Sequence, residues 1–396
     1  MTDKKLRIGF IPLIDATALL VAVDGGFTKQ EGLDVELVRE VSWSNVRDKL
    51  NLGLFDAAHL LAPVAVASSL GIGHVRVPII TPFNLGINGN SITVSPKLYA
   101  ELVAAADGDI ADPAVSARAL ARLVAERRKS GAEPLNFGMT FPFSHHNYQL
   151  RFWMASAGID PDEDVRLVVL PPPYMVDSLA SGHVDCFCVG APWNSVAVDL
   201  GVGRILHFGC EIQSRVTEKV FAVRERWANE RPDTLAALIR ALAAAADFVE
   251  DKNNLDAVCN IVAKRLDVTA EIVSRTITGV LKVATEGTTR ASDRYILIGR
   301  NNAMRPDPVQ AAWIYAQMVR WGQALLTEES LALAQAVFRA DLFDAVIGAA
   351  PSPNGGEPAD GIGAFVGPAF APTDIAGHLA AWRTRRSDRP RLSIVR

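Results

Sequence analysis

The sequence predicts an α/β protein of two lobes, with a ligand cleft between them and a helical C-terminal part. Three observations carry this. Strand-like apolar runs alternate with helical segments twice, in residues 6–81 and again in residues 135–189. The chain passes between the two series near residues 84–90 and again near Gly190. Residues 231–348 then read almost entirely as helix. Repeated βα units give a mostly parallel sheet with helices on both faces. Ligands of such sheets sit beyond the carboxyl ends of the strands, and a cleft between lobes is the expected site.

Taken in order, residues 6–13 read as a buried strand and residues 16–26 as a helix that ends on Gly25-Gly26, a normal C-cap. Residues 33–41 alternate as a strand. Ser44 is the expected N-cap of a short helix closed by Gly53. Strand-like runs at 55–61 and 75–81 flank a helix at 63–70, and residues 95–131 look helical. The second series has strands at 135–141, 165–170 and 185–189, with helices at 144–157 and 174–181 between them. Further strands are expected near 204–208 and 219–223. The expected division is 1–88 for the first lobe, 89–188 for the second, 189–349 for a largely helical return to the first, and 350–396 for a Pro/Gly-rich linker and basic tail. That tail, with Arg383, Arg385, Arg386, Arg389, Arg391 and Arg396, reads as solvated, as a strap over the body, or as a partner contact.

At 396 residues and 49% hydrophobic content, the chain has ample core for two lobes. A net charge of only −4 gives no global field for nucleic acid or an anionic membrane, so any anion specificity must be local. Cys186 and Cys188 alternate in an apolar run. With Cys210 and Cys259 they read as buried thiols rather than a metal site, because no second Cys/His pair has matching spacing. Thiols without a disulfide framework fit a reducing compartment. The N-terminal segment runs into a strand with no apolar h-region, and no run of about 18 apolar residues occurs. The expectation is a cytoplasmic protein that engages neither membrane nor nucleic acid directly.

Enzyme motifs are missing. There is no G-x-S-x-G, no Walker-type loop, no H-E-x-x-H and no strand-linked G-x-G-x-x-G. No catalytic residue, metal or cofactor is expected. What remains are polar residues just after strands. In Thr140-Phe-Pro-Phe-Ser-His-His-Asn147, Ser144 is an expected N-cap, which puts His145 and His146 in a first helical turn. Free N–H groups and the positive end of the helix dipole favour an anion there. Trp43 sits where a strand meets a helix and offers an indole N–H and a flat wall, or plain core packing. Asn90 offers an amide, or turn chemistry alone. Gly190 permits close backbone approach. Lys219 offers a fixed charge, or a solvated strand end. Their shared topological position is what unites them.

These residues lie in segments that resemble the nitrate-binding protein family, the receptors of nitrate and bicarbonate importers together with the related cytosolic NasS-type sensors. The marks are Ile8-Gly-Phe-Ile-Pro-Leu13, Glu40-Val-Ser-Trp-Ser-Asn-Val-Arg-Asp48, Asp56-Ala-Ala-His-Leu-Leu-Ala-Pro63, Gly89-Asn-Ser-Ile-Thr-Val94, Thr140-Phe-Pro142 with His146, Pro171-Pro-Pro-Tyr-Met175, Phe187-Cys-Val-Gly-Ala-Pro-Trp-Asn194 and Gln317-Met-Val-Arg-Trp-Gly-Gln323. The resemblance covers roughly residues 6–345. It implies a type II periplasmic-binding-protein-like fold, with the anion held by Trp43, Asn90, His146, Gly190 and Lys219. Asn90 stands where importer receptors often carry Gln, and Ala191 where they often carry Glu. Keeping Lys219, where bicarbonate-binding relatives place an acid, favours nitrate or nitrite. The NasS-type resemblance further implies a NasT-type antiterminator response regulator as partner, held without anion and released with it. Lys219→Ala or His146→Ala is expected to abolish anion binding while the protein stays folded.

Overall fold

The computed structural model describes residues 5–348, 362–367 and 369–384. Short apolar, β-branched segments form ten principal strands. The first sheet takes β1 (Leu6–Phe10), β2 (Val35–Arg39), β3 (Ala57–Leu61) and β4 (Ile79–Asn88). The second takes β5 (Asn90–Val94), β6 (Asn136–Met139), β7 (Arg166–Val169), β8 (Cys186–Gly190) and β9 (Arg204–Phe208). The strand β10 (Thr217–Arg224) returns to the first. The first sheet runs Ile296–Leu297, β4, β10, β3, β1, β2, and the second β7, β6, β8, β5, β9.

The sheets are mixed rather than mostly parallel. β10 is antiparallel to both β3 and β4, and β5 is antiparallel to both β8 and β9. The reason is the crossing itself. The parallel strands leave their sheet toward the cleft, so a strand that arrives from the other lobe enters at that end and runs backwards.

The first crossing lies inside the expected window. Asn88 (φ 60°) and Gly89 (φ 94°) turn β4 into β5 in the left-handed region, which Asn and Gly tolerate best. The second crossing differs from the expected boundary at 189. Gly190 ends a strand of the second sheet, and β9 pairs with β5, so the chain recrosses only between Ile212 and Thr217. The two crossings touch: Asn88 N–H donates to the Val216 carbonyl at 2.9 Å, and Val216 N–H donates to Asn88 Oδ1 at 3.0 Å.

Ser42, not Ser44, caps the helix Trp43–Asn51. Its extended backbone lets its hydroxyl accept from Asn45 N–H, which puts Trp43 in the first turn. The expected helical stretch 95–131 is two helices, Pro96–Ala105 and Pro113–Ser130. The return segment also holds a hairpin, Val280–Lys282 with Thr289–Ala291. The largest core lies between the first sheet and the helices Thr17–Asp24, Pro232–Glu250 and Leu255–Leu266.

The C-terminal segment departs from a solvated tail where it is described. Ile362, Phe370 and Ile375 are buried with Val216, Trp313 and Ala316, and Trp382 stacks on Phe152 with ring centroids 4.2 Å apart. That part is a strap. The linker residues before Ile362, together with Arg385, Arg386, Arg389, Arg391 and Arg396, lie outside the described residues. Among the described residues no helix is long and apolar enough to cross a membrane.

Candidate functional site

The five residues singled out from the sequence come together between the two sheets, all of them at buried positions. A bulge explains how Lys219 gets there. Thr217 pairs with Ile87 and Lys219 with Gly86, so Glu218 is an extra residue on β10. Such an insertion re-aims side chains that would otherwise alternate. Both Glu218 and Lys219 are fully buried, and the Lys219 ammonium lies 2.9 Å from Glu218 Oε1 and 2.9 Å from Asp15 Oδ2.

Asn90 opens β5 directly after the crossing and pairs with Gly190 at the end of β8. Its Nδ2 donates to Glu218 Oε2 at 2.9 Å and to Gln149 Oε1 at 3.3 Å. A Cβ on Gly190 would lie 3.1 Å from Asp15 Oδ2 and 3.6 Å from Asn90 Oδ1, so a larger residue would crowd the carboxylate on Lys219. Ser144 caps the helix His145–Ser156 as expected, accepting from Asn147 N–H. His146 in its first turn shares a hydrogen bond with the Thr140 hydroxyl through Nδ1 at 2.9 Å. Its Nε2 stands 3.5 Å from Glu218 Oε1 and has no hydrogen-bond partner among the described residues. Trp43 packs edge-on to His59, and Lys219 Nζ lies 5.4 Å from its ring centroid. The Trp43 indole N–H is likewise buried without a partner.

The charge states follow from burial and pairing. Burial pushes the His146 imidazole down to about 3, so it is neutral. Burial also lowers His145 and His59. Burial, the largest influence, would raise the carboxyls of Asp15 and Glu218, but Lys219 together with the neighbouring histidines (His59 at Asp15, His146 and His145 at Glu218) outweighs it and holds both below their usual range. Burial would strip the charge from Lys219, and the two carboxylates reverse this and hold its pKa above the ordinary lysine value. The cluster thus holds two carboxylates, one ammonium and uncharged imidazoles. All four cysteines are free and buried, and burial keeps the Cys188 thiol protonated.

Sequence reasoning missed Asp15, His59, Gln149 and Glu218. Asp15 carried a signal. It follows β1 just as Trp43 follows β2, so the search for polar residues after strands reaches it. His59, in an otherwise apolar β3, accepts from Ile11 N–H at Nδ1 and so donates from Nε2 to Asp15 Oδ1 at 2.8 Å, which fixes that carboxylate against Lys219. Glu218 carried none, since strand alternation puts neighbours on opposite faces and only the bulge brings it to the same cluster as Lys219.

Two α/β lobes joined by two touching crossings, with a buried polar cluster where they meet, have the two-lobed fold of the periplasmic-binding-protein type. The chain belongs to the NMT1-like family, which it matches over residues 1–263. Nitrate/nitrite binding protein NrtA of Synechococcus elongatus is 31% identical over 350 residues, covering 86% of this chain and 76% of the relative. Nitrate import ATP-binding protein NrtC of Synechocystis sp. is 31% identical over 388 residues. The match takes in 96% of this chain, which spans only 55% of that protein's length. The crystal structure of the periplasmic nitrate-binding protein NrtA from Synechocystis PCC 6803 superposes with a TM-score of 0.85 at 26% identity, covering 95% of this chain and 98% of that one. The relative and the solved structure that this chain matches over most of their length are named as binding proteins, in keeping with the missing catalytic motifs.

Proposed function

We propose that this protein is a receptor for nitrate or nitrite that closes its lobes on the anion. The observation that carries the reading is convergence: Lys219 Nζ, Asn90 Nδ2 and His146 Nε2, from both lobes, all face one buried planar oxyanion, the Glu218 carboxylate. The same donors suit a planar monoanion. Lys219 supplies charge, Asn90, His146 and the Gly190 backbone supply polar contacts, and Trp43 supplies a wall. Hydrogen bonds that involve an ion contribute about 1.5–3 kcal/mol each, so a few reach the roughly 8 kcal/mol of a micromolar site. The likeness to the nitrate-binding relatives supports the same ligand. As domains, we assign the two sheets: residues 5–88 and 217–348 to the first lobe, 90–212 to the second.

The finer reading is a cytosolic sensor that holds a NasT-type antiterminator response regulator without anion and releases it with anion. It is supported by the NasS-type resemblance and by Asn90 and Ala191, which depart from the importer pattern. A second reading, the receptor subunit of an importer, is favoured by the relatives' own names. Calorimetric titration with nitrate, nitrite, bicarbonate and sulfate tests the common core. Heat from nitrate or nitrite alone is expected, and heat from sulfate or bicarbonate alone would discard it. Pull-down of the regulator with and without nitrate separates sensor from importer subunit.

A further inference from the structure

We propose that Glu218 sets the affinity of the site as an internal oxyanion, occupying the donors an incoming nitrate or nitrite must take, so that each anion enters with one proton drawn from solvent into the Glu218–His146 pair. This rests on the receptor reading above. The geometry is direct. Glu218 Oε2 accepts from Asn90 Nδ2 at 2.9 Å, and Oε1 lies 2.9 Å from Lys219 Nζ and 3.5 Å from His146 Nε2. A side-chain carboxylate has the same planar O–X–O edge as nitrite and one edge of nitrate, so it competes for the same three groups.

Charge counting gives the consequence. The groups within electrostatic reach of Glu218 are Lys219 on its own strand, Asp15 after β1, His59 on β3, His145 and His146 on the helix His145–Ser156, and Cys188 on β8. Of these only Asp15 and Lys219 are charged, so with Glu218 the cluster already carries one net negative charge. A further anion on the same donors leaves three negative charges to one ammonium among fully buried side chains. Like charges so close and so deeply buried do not all stay ionised, and one proton is the smallest remedy. The proton comes from buffer and ends as a carboxyl O–H on Glu218 or an imidazolium N–H on His146. No bond to the anion is made or broken. The pair, which offered the anion a carboxylate, now offers it a donor. Glu218 starts below its ordinary value, and the bound anion raises the pair's affinity for protons. Between those two limits anion affinity falls by about tenfold for each unit of rising pH.

The test is titration of the full chain with sodium nitrate and sodium nitrite from about pH 6 to about pH 8, in Hepes and in Tris, whose ionisation heats differ. The expected result is a buffer-dependent heat equal to about one proton per anion, with the dissociation constant rising by about tenfold per pH unit. Glu218→Gln keeps shape and removes charge. It is expected to bind about tenfold or more tighter near pH 8, with no pH slope and no proton uptake. Binding by the parent protein with flat pH dependence and no buffer effect overturns the proposal and leaves the receptor reading standing. So does a folded Glu218→Gln that no longer binds. Absence of heat from both anions throughout the range overturns the two readings together. If Glu218→Gln fails to fold, the buffer series on the parent protein decides alone.

Discussion

Lys219 is the residue on which the site's electrostatics turn, and its removal does more than delete a ligand contact. With the ammonium gone, Asp15 and Glu218 stay buried and unpaired, and breaking one partner out of a buried ion cluster destabilises by about 3–5 kcal/mol. The expectation that Lys219→Ala leaves the protein intact therefore needs correcting, whereas His146, neutral and tied only to Thr140, is the cleaner probe. The sign of the pH dependence separates parent from variant. In the parent both carboxyls lie below their unfolded values, so their stabilisation is present above about pH 4 and is lost as pH falls through the lower folded values. In Lys219→Met the same carboxyls, buried without a cation, lie above their unfolded values and favour folding only when protonated. Urea unfolding at about pH 5 and about pH 8 is expected to show the variant gaining stability as pH falls, against a flat or opposite trend in the parent. Equal losses at both pH values would mean that water reaches the carboxylates. The sequence made Lys219 legible as a charge near a strand start. It hid Asp15 and Glu218, because burial and a bulge are properties of the assembled sheet.

At the scale of elements, the strands and helices before residue 70 were legible because their apolar period is regular, although the cap fell on Ser42 rather than Ser44. β4 shows where legibility ends. Pro82, Asn84 and Asn88 interrupt its apolar run, yet all ten residues are buried. Asn84 Nδ2 finds the Ala303 and Arg305 carbonyls, partners more than two hundred residues away that no local pattern reveals. β9 was placed in the wrong lobe for a similar reason, since its five residues, Arg204-Ile-Leu-His-Phe208, carry no label for the sheet they join. The strap was the least legible element. Linker composition before it and arginines after it mask the short apolar set that docks. It binds both lobes and the second crossing together. Phe365 N–H donates to Ile212 O at 3.1 Å, Ser214 N–H to Gly363 O at 2.9 Å, and Arg320 to the Trp382 carbonyl, while Trp382 covers Phe152. Each buried Ile or Phe contributes roughly 1.5–3 kcal/mol gross before ordering of the segment is subtracted. A chain ended at Gly348 is expected to unfold at lower urea by a net of about 2–4 kcal/mol and to bind nitrate more weakly. An unchanged midpoint would make the strap a passenger.

For the whole molecule, the question is what a ligand in the cleft can move. Both crossings are short and hydrogen-bonded to each other, so rotation of one lobe on the other concentrates at Asn88–Asn90 and residues 213–216. Away from the ligand, Gln323 of the first lobe clasps the second. Tyr148 O–H donates to Gln323 Oε1 at 2.8 Å, and Gln323 Nε2 donates to the Pro142 carbonyl at 3.0 Å. Ile14 N–H closes onto the Ala191 carbonyl at 2.9 Å on another side of the cleft. These bonds exist only while the lobes meet, so they weight the closed state without touching an anion. A ligand shifts such an equilibrium by its differential affinity alone, and apparent affinity scales with the closed fraction. Gln323→Ala removes two interlobe bonds of about 0.5–1.5 kcal/mol each, so nitrate affinity is expected to fall by roughly five- to a hundredfold with the anion's own contacts intact. Small-angle scattering is expected to give a larger radius of gyration for this variant without nitrate, returning to the parent's value at saturation. Should its radius and affinity both match the parent's, closure would not be the step that nitrate drives, and occupancy would have to reach a partner by some route other than the angle between the lobes.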